Sequence, residues 1–75
     1  MIAELESVVL TVDLAEHQLK RGDIGTVVLT HADRGYEVEF VTLDGETVAV
    51  VSLAPDQVRS AGRGEIAHVR PVEAA

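Results

Sequence analysis

The segment Tyr36-Glu37-Val38-Glu39-Phe40 alternates apolar and acidic side chains without a break, and Asp44-Gly45 stands a few residues beyond it. Successive side chains of a strand point to opposite faces. The pattern therefore specifies a half-buried β-strand with Tyr36, Val38 and Phe40 inward and both glutamates outward. Asp-Gly tolerates the positive φ of a hairpin turn, so the chain after it must return beside the first strand. The returning segment, Thr47-Val48-Ala49-Val50-Val51-Ser52-Leu53, is apolar on both faces. Val48 and Val50 are expected to face the core, and Val51 and Leu53 to face outward.

The remaining strands follow from branched residues gathered in short bursts. Val, Ile and Leu make up 23 of 75 residues, whereas Phe and Tyr occur once each. Branched side chains favour the pleated surface of a sheet. Ser7 to Val12 and Ile24 to Thr30 read as two further strands, the second entered through Gly22-Asp23 and joined to the Tyr36 strand by the polar loop His31-Ala32-Asp33-Arg34-Gly35. Ala54-Pro55-Asp56-Gln57 suggests a single helical turn that delivers Val58 and Arg59 to a last short strand. Asp13 and Glu16 have the spacing of a capping box, which predicts a turn or two of helix over Leu14 to Leu19; otherwise that segment is a long loop folded over the sheet.

The expected fold is all-β: a small five-stranded SH3-like barrel over residues 1–59, with a long first loop and a short helical turn before the last strand. A five-stranded OB-like barrel is the rival, but it normally places a longer helix before its last strands. The expected core is Val8, Leu10, Ile24, Val27, Val38, Phe40, Val48, Val50 and Val58. Residues 60–75 form a C-terminal tail that opens with the joint Ala61-Gly62-Arg63-Gly64 and is either flexible or packed on the barrel or on a partner.

Composition restricts function. A chain of this size buries only roughly 60% of its unfolded surface, too little to enclose a deep catalytic cavity. Thirteen carboxylates against six Lys and Arg give a net charge of −7, opposite in sign to a nucleic-acid footprint. There is no cysteine, which removes disulfides, thiolate metal sites and a cysteine nucleophile together. The N-terminal residues carry acids where a secretory signal needs a basic region, and no apolar run reaches the ~18 residues of a membrane helix. A cytoplasmic location without membrane association is the expectation.

Three segments agree in order and spacing with a known family: Leu19-Lys20-Arg21-Gly22-Asp23-Ile24-Gly25-Thr26-Val27-Val28, then Tyr36-Glu37-Val38-Glu39-Phe40, then Leu43-Asp44-Gly45-Glu46-Thr47. Over about Leu5 to Arg59 the chain resembles the small bacterial proteins of domain-of-unknown-function family 4926. Ala15 stands where that family often has proline, and Gln18 where glycine is common. The resemblance implies an SH3-like barrel and no catalytic residue, cofactor or activity. A weaker likeness, through a Gly-x-x-Gly-x-Val element, runs to the barrel of nitrile hydratase β subunits and to KOW-type modules.

Chemistry-bearing residues are sparse. Gly22-Asp23-Ile24-Gly25 could suggest a phosphate cradle, but the Asp23 carboxylate repels phosphate and no lysine stands at Walker spacing. Lys20-Arg21 is the only adjacent basic pair, and two cations among thirteen acids release few counterions. His17, His31 and His68 fall in separate segments, so the sequence defines no metal geometry. Ser7, Ser52 and Ser60 lack a nucleophile-elbow context. Glu37 and Glu39 share a strand face, the placement of a hydrolase acid pair, but no cleft is implied around them.

No catalytic, cofactor or metal residue is therefore assigned, and nucleic acid is not an expected partner. The expected function is a non-enzymatic protein-interaction module that binds another protein or a second copy of itself, with an antitoxin or immunity role as one form. The alternative is an accessory subunit of an enzyme related to nitrile hydratase. Glu37, Glu39, Asp44, Glu46, Val51 and Leu53 are the expected partner-binding residues, because acids steer a basic partner and outward apolar side chains then bind it by burial.

Overall fold

The computed structural model describes residues 2–72. Met1 and residues 73–75, the outer ends of the expected domain and tail, lie outside the described residues. Five strands form: β1 (Ser7–Leu10), β2 (Ile24–Thr30), β3 (Tyr36–Val41), β4 (Thr47–Leu53) and β5 (Val58–Ser60). All pair antiparallel in one sheet of order β4-β3-β2-β1-β5. The only helical elements among the described residues are single 3-10 turns at Ala15–His17 and Pro55–Gln57.

The sheet is not closed by hydrogen bonds, since β4 and β5 remain its two edges. It must nevertheless curl. Four strand spacings of about 4.8 Å would separate the edges of a flat sheet by roughly 19 Å. The connection from Leu53 to Val58 reaches at most ~18 Å when fully extended, and its 3-10 turn shortens it further. Curling brings β4 and β5 around one core of Val8, Leu10, Leu19, Val27, Val38, Phe40, Val51, Leu53 and Val58. Thr11 secures the turn between the edges, its N–H donating to the Gln57 carbonyl at 2.9 Å and its hydroxyl to the Asp56 carbonyl at 2.8 Å.

Two glycines let backbones approach. A Cβ at Gly25 would lie 2.6 Å from Val38 Cγ1 and 2.8 Å from Phe40 Cε2, so the core itself fills the missing side chain. At Gly35 φ is +128° and a Cβ would lie 2.1 Å from the Leu53 carbonyl oxygen. Only glycine fits where the loop before β3 meets the end of β4.

Three expectations need correction. On β4 it is Val51 and Leu53 that enter the core, while Val50 is exposed; Val48, half-buried at a register shift, still packs against the core as expected. The physical reason is pairing: inward Tyr36, Val38 and Phe40 stand opposite Leu53, Val51 and Ala49, and paired residues share a face. Ile24, opposite Val9 rather than an inward residue of β1, is 44% exposed. The helix over Leu14 to Leu19 is reduced to one 3-10 turn. Leu14 and Leu19 exchange backbone hydrogen bonds of 2.9 and 3.1 Å, which closes a loop that drops Leu19 into the core. Asp13, expected to cap a helix, instead accepts from the Arg21 N–H at 2.8 Å.

Candidate functional site

Strand register builds the outer face of β2, β3 and β4 as two cross-strand rows. Thr26, Glu39 and Val50 form one, and Leu29, Glu37 and Ser52 form the other. Val28 is the extra residue where the β2–β3 register shifts, and that bulge leaves both it and Leu29 exposed. Each expected acid thus has an exposed apolar side chain on one flank and a hydroxyl on the other: Glu37 lies between Leu29 and Ser52, and Glu39 between Val50 and Thr26. Asp44 and Glu46 sit apart from them, exposed at the β3–β4 hairpin tip, where the Thr42 hydroxyl donates to Asp44. Val51 and Leu53 do not belong to the surface; Val28, Leu29 and Val50 supply its apolar part.

Both glutamates are held by cross-strand donors. Ser52 Oγ donates to Glu37 Oε2 at 2.5 Å, and His31 Nε2 lies 2.8 Å from the same oxygen. An ionised carboxylate only accepts, so Nε2 carries the proton. The Ser52 hydroxyl first, and His31 second, hold the Glu37 carboxyl below its usual range. Glu39 accepts from the Thr47 hydroxyl at 2.9 Å. The grouping of His31, Glu37 and Ser52 was not anticipated from sequence, although Ser52 stands directly opposite Glu37 in a register that a hairpin count reaches. Its chemistry is not that of a nucleophilic triad. The carboxylate sits between serine and imidazole, so the hydroxyl proton points at Glu37 instead of at a histidine base.

A second surface lies across β5, β1 and β2, where Arg59, Val9 and Ile24 form a row. The tail runs over it, fixed at both ends. Arg59 forms a bidentate pair with Glu65, with contacts of 2.9 and 2.7 Å. Arg70 reaches Asp23 through Nε at 2.9 Å and Nη2 at 2.5 Å, and Nη2 also donates to the Gln18 carbonyl at 2.9 Å. Between the tail and the β3–β4 hairpin lies a cavity of about 400 Å³, lined by Leu19, Ile24, Phe40, Val41 and Leu43 on the sheet side. Packing of the tail on the sheet was one of the expected alternatives, but its pairing through Asp23 was not, because Asp23 reads as a turn residue, which it also is: its Oδ2 accepts from the Lys20 N–H at 2.8 Å.

Residues 4–60 match the family described as Domain of unknown function (DUF4926). The chain belongs to this family. No curated protein and no solved structure matches it. The DUF4926 segment contains the whole core and both glutamates of the outer face, whereas the tail that carries Arg70 lies beyond it. Among the described residues of this DUF4926 chain, no helix is long and apolar enough to cross a membrane. Nor do three or more His, Asp or Glu side chains gather there as a metal site would require.

Proposed function

We propose that this chain is a non-enzymatic protein-interaction module, and that the outer face of β2, β3 and β4 binds a basic segment of a partner protein. One observation carries the reading: two glutamates, fixed by cross-strand donors, share an outer face with Leu29, Val28 and Val50, which are 46%, 41% and 54% exposed. Acids alone would serve solubility; acids set among exposed branched side chains fit steering followed by burial. The charge selects a foreign partner over a second copy, because a symmetric dimer through this face would bring its four glutamates together. Antitoxin, immunity and accessory-subunit roles would all use such a face, and the partner's identity separates them.

The test pairs capture from the native cell with variants of this surface. A protein retained by the wild type should be lost with Glu37→Lys/Glu39→Lys and with Val50→Asp, and should associate faster as salt is lowered. If all three chains retain it equally, the face is not the binding surface. If Val50→Asp instead dissociates a wild-type dimer, the partner is a second copy.

A further inference from the structure

We propose that the groove beneath residues 65–72 is a second recognition site, for an extended protein segment bearing an arginine flanked by bulky apolar side chains, and that the chain's own tail occupies it in cis as a displaceable ligand. This uses a different surface from the outer acidic face and does not depend on it.

The tail is held the way a bound peptide is. Along it, among the described residues, the last backbone hydrogen bond to the sheet is Ala61 N–H to the Ser7 carbonyl. Beyond that point its attachment is by side chains, Glu65 on Arg59 at one end and Arg70 on Asp23 and Gln18 at the other. The tail also fits poorly. Ile66 and Val69 remain 95% and 69% exposed, while the cavity of about 400 Å³ stays open beside Val69 and Arg70. At its rim Val41 is 49% and Leu43 93% exposed. Larger apolar side chains on either side of the arginine would fill space the tail leaves empty.

The arginine's acceptors are set by contacts that do not involve the tail. Lys20 N–H orients the Asp23 carboxylate, and Gln18, held in the left-handed region at φ 59°, presents its carbonyl beside it. Two acceptors side by side suit the planar fork of a guanidinium better than the point charge of an ammonium, and they repel phosphate. The receptor lies inside the family segment and its occupant outside it. A tail joined through Gly62 and Gly64 is present at an effective concentration on the order of 1 mM. If its intrinsic dissociation constant is about 0.1 mM, it weakens any competitor roughly tenfold.

The experiment titrates a synthetic peptide of residues 64–72 into the ¹⁵N-labelled full chain, as wild type, as Arg70→Ala and as Asp23→Asn/Arg70→Ala. Arg70→Ala weakens the cis competitor, so the peptide should bind it about tenfold more tightly than wild type, with shifts at Leu19, Ile24 and Leu43. Asp23→Asn keeps the acceptor for Lys20 N–H but removes the charge, and should abolish that binding while the spectrum stays dispersed. A peptide carrying Val69→Phe should bind more tightly than the parent. The proposal is overturned if the peptide does not saturate Arg70→Ala at millimolar concentration, or if Asp23→Asn/Arg70→Ala binds it equally well. Tail exchange between wild-type chains into a dimer would also overturn it, giving the groove to a second copy.

Discussion

Arg70 and Asp23, 47 positions apart in sequence, meet in a two-point pair in which each side chain is largely shielded from water, at 26% and 18% exposure. The companion pair Arg59–Glu65 is more open, at 50% and 42%. Ion pairs weaken as water screens them, so the Arg70 end is the stronger attachment of the tail. Asp23 has a second task that Arg70 lacks, since it also accepts from the Lys20 N–H in the turn entering β2.

That difference predicts unequal costs. Arg70→Ala should release the tail and lower domain stability by no more than about 1 kcal/mol. Asp23→Ala should cost about 0.5–1.5 kcal/mol more, because the turn loses its acceptor as well. Urea unfolding of both variants measures the gap, and equal midpoints would remove the second role from Asp23.

Gly25 makes a packing prediction. A methyl group there meets Val38 and Phe40 at distances real carbon contacts do not reach, so Gly25→Ala must displace the core and should cost about 1–3 kcal/mol. Phe40→Ala, the opposite change at the same contact, should cost about 3–5 kcal/mol. A Gly25→Ala chain as stable as wild type would mean that β2 and β3 do not pack as described.

The orientation of β4 is tested by neighbours of similar chemistry. Leu53→Ala should cost about 2–5 kcal/mol as a buried truncation, while Val50→Ala should stay within about 0.5 kcal/mol of wild type as a surface change. Thermal denaturation of the two variants decides it, and the reverse ranking would restore Val50 to the core.

How far these features were legible follows from how each is specified. The strict alternation of Tyr36 to Phe40 set its own faces, and β2 and β4 began and ended where turn residues bounded them. On β4 both faces are apolar, so periodicity could not choose between them. The choice was still encoded nearby: counting back from a two-residue Asp44-Gly45 turn sets Ala49 opposite Phe40, and hence Val51 and Leu53 inward. The observed loop reaches that register by another path, with Gly45 at φ +94° and a register shift beside Val41. The tail was of another kind. Its partner Asp23 is remote in sequence, and an ion pair between distant segments leaves no periodic trace. Leu14 to Leu19 stopped at a single 3-10 turn within the alternative loop, because two leucines paired across it outweighed a capping pattern with few residues to propagate it.

Acid should detach the tail while leaving it docked at neutral pH. Arg59 and then the Gly62 N–H hold the Glu65 carboxyl at about 2, against an ordinary 4.5. For Asp23 burial alone would raise the pKa, but the Arg70 guanidinium and the Lys20 N–H outweigh it and the net direction is down. A carboxyl whose pKa is depressed on docking binds fewer protons docked than released, so its contribution is complete above its ordinary pKa and lost as pH falls through its docked value. The facing guanidinium groups of Arg59 and Arg70, both held above the usual arginine value by their carboxylate partners, keep their charge throughout this range, leaving the carboxylates to titrate. The Gly62 and Val69 amide signals should hold constant from neutral pH to about 5 and move toward random-coil positions below pH 4.5, the ordinary value of Glu65. Glu65→Gln should release the Gly62 end at neutral pH and leave the acid transition of the Val69 end in place. Amide positions unchanged down to pH 2 would show that neither carboxylate holds the tail.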